Sequence, residues 1–504
     1  MLKLLCVFTL LTTTIATRAQ VRPKENSTIN YRLTGFSIPK NEKAAYYLLE
    51  VAEGTNNNDT YFRKNRIISD TSASNQIIAL LPALGQNYTW RISCLNAKYK
   101  VKKRSPLYHL ATGTVPYADT AQYRLQILTP DTTHKNLYIL LDATRTMYDA
   151  ATGLPVWYLP DIPGLVDKQT AVRDLKPTPY GTFTMLAGDK PCEVNYEGQL
   201  LWQAPDDGKI SGDTSEFYHH EFTRLHSGRY MVAGSEHLPW PDEKNTNTDP
   251  VQQKRRRGGD NKALCGTLIE YDSTGKVTWH WKSSTYFTYN DLFSRMPGTN
   301  VMAKTHLNAF YFDEAHNSIY VSFRDVSRVV KIAYPGKEIL AAYGEASETD
   351  ENRQGNGFFY SQHNCRVSPG GEFYLFNNNA IMKKGEDKRA DNKTALIIMR
   401  EPANENERLE KIWDFSCNID TFASPKSLGG GSILQLADGS FLSSMGTVNR
   451  VFIVSRSKQI LWNALVQMNA GTTWEPFPSY RASAIETRAD LEKLIFNTRN
   501  NQNQ

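Results

Sequence analysis

Short apolar runs, closed by turns that contain Gly, Asn or Pro, fill most of this 504-residue chain. Such a pattern predicts many short β-strands rather than helices. From about residue 116 the runs repeat. One element is a strand that ends in tryptophan after a Gly or polar turn. It ends at Trp157, Trp202, Trp279, Trp413 and Trp462, and a sixth copy has Leu340 in the tryptophan slot. A turn leading into an apolar strand precedes each copy. These turns lie at Lys135-Asn136, Gly181, Gly228, His316-Asn317, Gly370 and Gly439.

Six copies at steps of 45 to 77 residues predict a six-bladed β-propeller. A four-stranded blade has two apolar faces, which it can bury only against its neighbours. The tryptophan is expected to fill the same slot between blades each time. Two polar runs, Lys254-Arg255-Arg256-Arg257 and residues 383–393, fall between these strands and read as solvated loops.

Before the repeat, residues 20–115 read as a separate β-sandwich. Residues 44–51 form a strand pattern. The run Leu81-Pro82-Ala83-Leu84-Gly85-Gln86-Asn87-Tyr88 resembles the fibronectin type III corner, in which a tyrosine hydroxyl caps a turn. The fold class expected is therefore all-β: a six-bladed propeller over 116–482, preceded by a fibronectin III-like sandwich, with a tail over 483–504. Residues 1–19 read as a signal peptide: Lys3 gives the charge, residues 4–15 the short apolar stretch, and cleavage is expected after Ala19. Nothing later has the apolar length of a membrane span. The expectation is an exported, periplasmic or secreted protein.

Composition narrows the partners. The chain is 40% hydrophobic and 22% charged, in the globular range, and its net charge of +6 is too diffuse to argue for nucleic acid. Beyond Cys6 the cysteines are Cys94, Cys192, Cys265, Cys365 and Cys417, widely spaced and without a CxxC pair. An odd count leaves at least one thiol outside any intrachain bridge. Closely spaced zinc ligands are absent from the sequence.

Propellers place chemistry where the innermost strands begin. At those starts stand Tyr218-His219-His220-Glu221-Phe222, Lys304-Thr305-His306-Leu307-Asn308 and Ser361-Gln362-His363-Asn364. Three successive blades thus put histidine near one structural point. His306 opens a hairpin whose return strand ends at Arg324, and antiparallel pairing brings Arg324 back beside His306. The expected ring is His219 or His220, His306, His363 and Arg324, with Asn308 nearby. Three imidazoles can hold a metal. An arginine among them repels a cation and suits a tetrahedral oxyanion. Imidazoles and a guanidinium, with no carboxylate read into the ring, suit transfer of an anionic group such as sulfuryl. One neutral imidazole can attack and another can protonate the leaving oxygen. Paired acids of the glycosidase kind are not seen.

Taken together, Tyr218-His219-His220-Glu221-Phe222, Thr305-His306-Leu307-Asn308, Ser322-Phe323-Arg324-Asp325-Val326-Ser327 and Gln362-His363-Asn364 resemble the bacterial arylsulfate sulfotransferase family. So do Gly429-Gly430-Gly431-Ser432, Leu436-Ala437-Asp438-Gly439 and Tyr480-Arg481-Ala482. The resemblance covers roughly residues 120–482, and the family also carries an N-terminal β-sandwich. It implies ping-pong transfer of sulfuryl from a phenolic sulfate ester to a phenol, without PAPS, metal or other cofactor. In that reading His363 is the sulfated nucleophile, and His220, His306, Asn308 and Arg324 surround it. His219 and His220 stay alternatives, both within reach of substrate. Asn364 stands where an acid is expected, and the close cysteine pair of some members is missing. Oligomeric state is left open, a homodimer included.

Other classes stay as rivals: a ligand-binding propeller without turnover, and a metal- or quinone-dependent propeller enzyme. No cysteine begins the formylglycine sulfatase motif. No phosphate-cradling Walker loop or strand-linked GxGxxG occurs.

Overall fold

The computed structural model describes residues 21–114, 122–131, 133–134, 136–239, 262–288, 291–292, 303–345, 357–380, 382–383, 386–387, 393–404 and 406–497. The readings of residues 1–19, Lys135, Lys254 to Arg257 and most of 383–393 lie outside them. The chain divides into two compact units, residues 1–113 and 114–504.

The first unit contains a six-stranded sheet and a two-stranded sheet, Leu33–Ser37 with Gln76–Leu80. Its core is Leu33, Phe36, Leu49, Val51, Ile77, Trp90 and Ile92, all buried. The corner behaves as the sequence predicts. Tyr88 is buried, its hydroxyl donates to the Ala83 carbonyl at 3.1 Å, and it accepts from the Ala83 N–H at 3.1 Å.

The second unit is all-β apart from short helices, and propeller-like. Its described residues form six sheets with a four-stranded path or longer. Innermost strands are Val172–Pro177, Phe217–Arg224, Leu307–Asp313, His363–Val367, Ser432–Gln435 and Ala482–Ile485. Each lies against the next in that order, and Ala482–Ile485 returns to Val172–Pro177. Second strands such as Phe183–Ala187, Ser318–Phe323 and Phe373–Asn377 are buried at every position. That is the signature of sheets covered on both faces.

The first sheet holds a surprise for the sequence reading. Its inner strand comes from the far end of the chain: Ala482–Ile485 pairs antiparallel with Tyr138–Leu141. The expected tail therefore starts inside a strand. It continues into the helix Arg488–Phe496, capped by the Thr487 side chain and buried at Leu491, Leu494 and Ile495.

The tryptophans act between sheets. Trp157 donates its indole N–H to the Tyr196 carbonyl (2.7 Å), Trp279 to Pro335 (2.9 Å), Trp413 to Arg456 (2.8 Å) and Trp462 to Ala150 (2.9 Å). Each acceptor lies in the turn before the fourth strand of the next sheet, counted from the innermost. The Trp462 bond joins the last sheet to the first. Trp202 instead stacks on Tyr230 of the next sheet, centroids 3.9 Å apart. Leu340 does not fill the slot: it is 54% exposed.

All five described cysteines are free and buried. No described helix is long and apolar enough to cross a membrane.

Candidate active site

The innermost strands are bent at one level by irregular pairing. Register slips occur between Arg173 and Lys176, Tyr218 and Phe222, Leu307 and Ala309, and His363 and Arg366. Close to each slip a non-glycine residue takes the left-handed conformation: Asp174 (φ 55°), His220 (63°), His306 (54°) and Asn364 (51°). Bulges of this kind re-aim side chains, and strain of this kind gathers at functional sites. The histidines are therefore not at one equivalent position. His220 and His306 occupy the left-handed place, which Asn364 takes in the next sheet, and His363 precedes it by one.

His363 is 2% exposed. Its Nδ1 lies 2.6 Å from the Asn378 carboxamide oxygen. The Asn378 amide donates to two carbonyls, of Ser427 and Gly430, at 3.0 Å each. Carbonyls only accept, so the amide cannot be turned round, and Nδ1 of His363 must carry the hydrogen. The lone pair is thereby placed on Nε2, where the Gly430 N–H approaches at 3.3 Å. Only glycine permits this approach: a Cβ on Gly430 would sit 2.7 Å from the Tyr480 ring. Burial first, then the charge of Arg324, hold the His363 imidazole well below its ordinary pKa.

The other histidines form a chain. Asp325 meets Nδ1 of His306 at 3.0 Å, Nε2 of His306 meets Nε2 of His220 at 3.3 Å, Nδ1 of His220 meets Nδ1 of His219 at 2.8 Å, and Nε2 of His219 meets the Ser235 hydroxyl at 2.6 Å. The Asp325 carboxylate fixes the His306 ring at one end of this row, and the Ser235 hydroxyl meets it at the other. Burial pushes His219 down to about 3, helped by His306, and burial with His219 and His306 holds His220 well below its ordinary value. Although burial opposes it, the hydrogen bond and charge of His306, with Arg324 and Lys304, keep Asp325 low, at about 2.

Arg324 is where the hairpin argument puts it. Its N–H donates to the His306 carbonyl (2.9 Å), and its guanidinium donates to Asp325 (2.8 Å) and to the Leu428 carbonyl (3.0 Å). Of the adjacent histidines, His220 faces His306, while His219 lies between His220 and Ser235. Asn308 is fully buried. Its amide donates to the Gln362 carbonyl at 2.7 Å, so it braces the residue before His363, while its carboxamide oxygen has no hydrogen-bond partner among the described residues.

The expectation of a ring without carboxylates is corrected. Asp325 joins it, and a charged belt lies directly behind. Arg481 pairs with Asp174 (2.6 Å) and Glu221 (2.9 Å), Arg366 with Glu221 (2.8 Å), and Lys176 with Asp174 (2.8 Å) and Glu221 (3.0 Å). Arg481 also donates to the Asn308 carbonyl at 2.9 Å. Sequence reasoning quoted Asp325, Gly430, Tyr480 and Arg481 inside motifs but gave them no place. Nothing in the sequence marks Asn378. Among the described residues, no group of three or more His, Cys, Asp or Glu is arranged to hold a metal ion.

The arylsulfotransferase (ASST) family matches residues 125–427. The chain belongs to the arylsulfotransferase family. The matched stretch includes His219, His220, His306, Asn308, Arg324 and His363 and stops short of Gly430, Tyr480 and Arg481. A search of curated proteins returns no match. Among solved structures, a protein of unknown function from Bacteroides caccae is similar at 11% identity and a TM-score of 0.40. That match covers 73% of this chain and 99% of that one. A streptogramin B lyase matches at 7% identity and TM-score 0.35, covering 74% and 100%. A periplasmic gluconolactonase from Pseudomonas aeruginosa matches at 10% and 0.35, covering 69% and 98%. Likeness at this level carries no functional argument.

Proposed function

We propose that this arylsulfotransferase works by a ping-pong mechanism through a sulfohistidine at His363, on a six-bladed propeller that follows a fibronectin III-like sandwich. The closed order of six innermost strands supports the blade count, and the Tyr88 corner supports the sandwich type. Residues 1–19 are read as a signal peptide that exports the chain, 20–115 as the sandwich and 116–482 as the catalytic propeller. Residues 483–485 complete the innermost strand of its first sheet, and helix Arg488–Phe496 follows.

The observation that carries the mechanism is the state of His363: a buried, neutral imidazole whose Nε2 lone pair is fixed by Asn378. Nε2 attacks the sulfur of a phenolic sulfate ester. The S–N bond forms, the S–O bond to the aryl group breaks, and its electron pair leaves on the phenolate. Arg324 meets sulfuryl oxygens with the fork that a guanidinium offers. His306, braced by Asp325, and His220 supply and recover the proton. In the second half a phenol oxygen attacks the same sulfur, its proton passes to an imidazole, and the N–S pair returns to Nε2. His219 and Asn308 hold this group in position.

The test is 4-nitrophenyl sulfate with and without added phenol. A transferase releases nitrophenol far faster with the acceptor, a sulfatase shows no such dependence, and a binding propeller releases none. A donor-only pulse quenched in alkali is expected to leave one SO3 on the peptide containing His363. Fast transfer with no label means direct transfer, and label on His220 or His306 moves the nucleophile.

A further inference from the structure

The second unit holds a cavity of about 540 Å³ lined by Gly430 and Tyr480, two neighbours of the buried His363, which does not itself line it. One wall is Gly429 and Gly430, the latter being the residue whose N–H approaches the His363 Nε2. A second wall is aromatic. The Tyr480 ring lies 6.2 Å from that of His363, and Phe477 packs on Tyr123 with centroids 4.7 Å apart. The Tyr480 hydroxyl is buried without a hydrogen-bond partner, and burial lifts its pKa to about 12, so this wall stays neutral.

The rim of the cavity is basic. Arg145, Lys168 and Arg173 line it, and among the described residues no Asp or Glu does. Nearby carboxylates are engaged elsewhere. Asp167 accepts from Gln169 and Thr170, and Asp142 accepts from Ser479 and from the backbone of Arg481 and Asp174. Arg145 is tied to the Thr170 carbonyl. Lys168 and Arg173 are exposed, and Arg173 sits with its guanidinium carbon 5.8 Å from the centroid of Tyr480. A flat neutral ring fits between glycine and tyrosine walls. Two exposed cations stand beyond it and suit a negative charge on the far side of that ring.

Resting on the reading of His363 as the sulfuryl carrier, we infer that this cavity selects phenols bearing a second, anionic substituent. A carboxylate on a short arm is the simplest case. Lys168 and Arg173 are the residues that recognise it, and Tyr480 and Gly430 hold the ring with its phenol oxygen toward His363. The attraction is between partly exposed charges, so it is worth about tenfold at low ionic strength and is screened by salt.

The experiment pairs 4-nitrophenyl sulfate with two acceptors of similar phenol acidity, 4-hydroxyphenylacetate and 4-hydroxyphenylacetamide. The expected kcat/KM ratio is about ten in favour of the carboxylate. It falls toward one in about half-molar salt and in the Lys168→Gln, Arg173→Gln double variant. Equal kcat/KM for the two acceptors overturns the inference and leaves the transferase reading standing. Calorimetric binding of both acceptors covers the remaining case. If no nitrophenol is released but the carboxylate binds selectively, the subsite stands and the reaction falls. If there is neither release nor selectivity, both fall.

Discussion

His220 and Glu221 are neighbours on one strand, and the structure sends them into opposite environments. His220 joins a row of imidazoles in which burial, with the neighbouring rings, lowers the pKa of both His219 and His220. Glu221 joins the belt behind, where burial is outweighed by Arg366, Arg481 and Lys176, so the carboxylate stays charged and well below its usual range. Two layers one residue apart thus use burial in opposite ways. The outer layer gains neutral, nucleophilic nitrogen. The inner layer gains a rigid, charge-balanced floor that fixes Asn308 and, through it, the segment before His363. On the proposed mechanism, chemistry belongs to the first layer and positioning to the second.

The largest expected effect breaks the outer layer. His363→Ala, and equally His363→Asn, is expected to lower transfer by about 10^4-fold or more while the thermal transition stays near wild type. The check is nitrophenol release together with a melting curve. Activity within tenfold of wild type would remove His363 from the chemistry.

The inner layer breaks in the other currency. Glu221→Ala leaves Arg366, Arg481 and Lys176 with Asp174 as their one remaining partner in the belt and is expected to cost roughly 3–5 kcal/mol of stability. Denaturant unfolding measures it. A loss below ~1 kcal/mol would mean that the belt is solvated and not a floor.

Arg324→Lys tests the join between layers. The fork to Asp325 and the Leu428 carbonyl cannot be copied by a point charge. A loss of about 10^2–10^3 in kcat/KM, with the fold retained, is expected. Unchanged kinetics would place Arg324 outside the reaction.

The smallest effect is an absence of change. Because His363, His220 and His219 are depressed, the activity limb of an ordinary histidine near pH 6.5 is not expected. Rates should hold from pH 8 to about 5. Stability runs differently. Below pH 6.5 the unfolded histidines take up protons that the folded ones refuse, so folding free energy falls as pH drops from 6.5 toward about 3, the His219 value. A rate profile with its acid limb at 6.5 would show that the imidazoles are hydrated.

The repeat of tryptophan strands and glycine turns made the propeller-like unit readable, because each sheet must solve the same burial problem with the same residue types. Trp157, Trp279, Trp413 and Trp462 do so with the same indole bond. The candidate ring was readable for a related reason. His306 and Arg324 lie on one hairpin, and local pairing alone brings them together. Leu340 marks a limit, since a residue in the repeat slot need not be buried.

What the sequence determined by itself was local: strands, turns, one hairpin juxtaposition and the residue types at strand starts. What only the tertiary structure decided was long-range. Asn378 and Gly430 reach His363 from different strands and loops, and the register slips lie beside His220 and His306, whose rings face each other. Arg481 arrives with a strand from the chain's far end, which completes the first sheet. The physical reason is that a side chain's charge and tautomer depend on every group packed around it. Those groups come together only when the sheets close on one another.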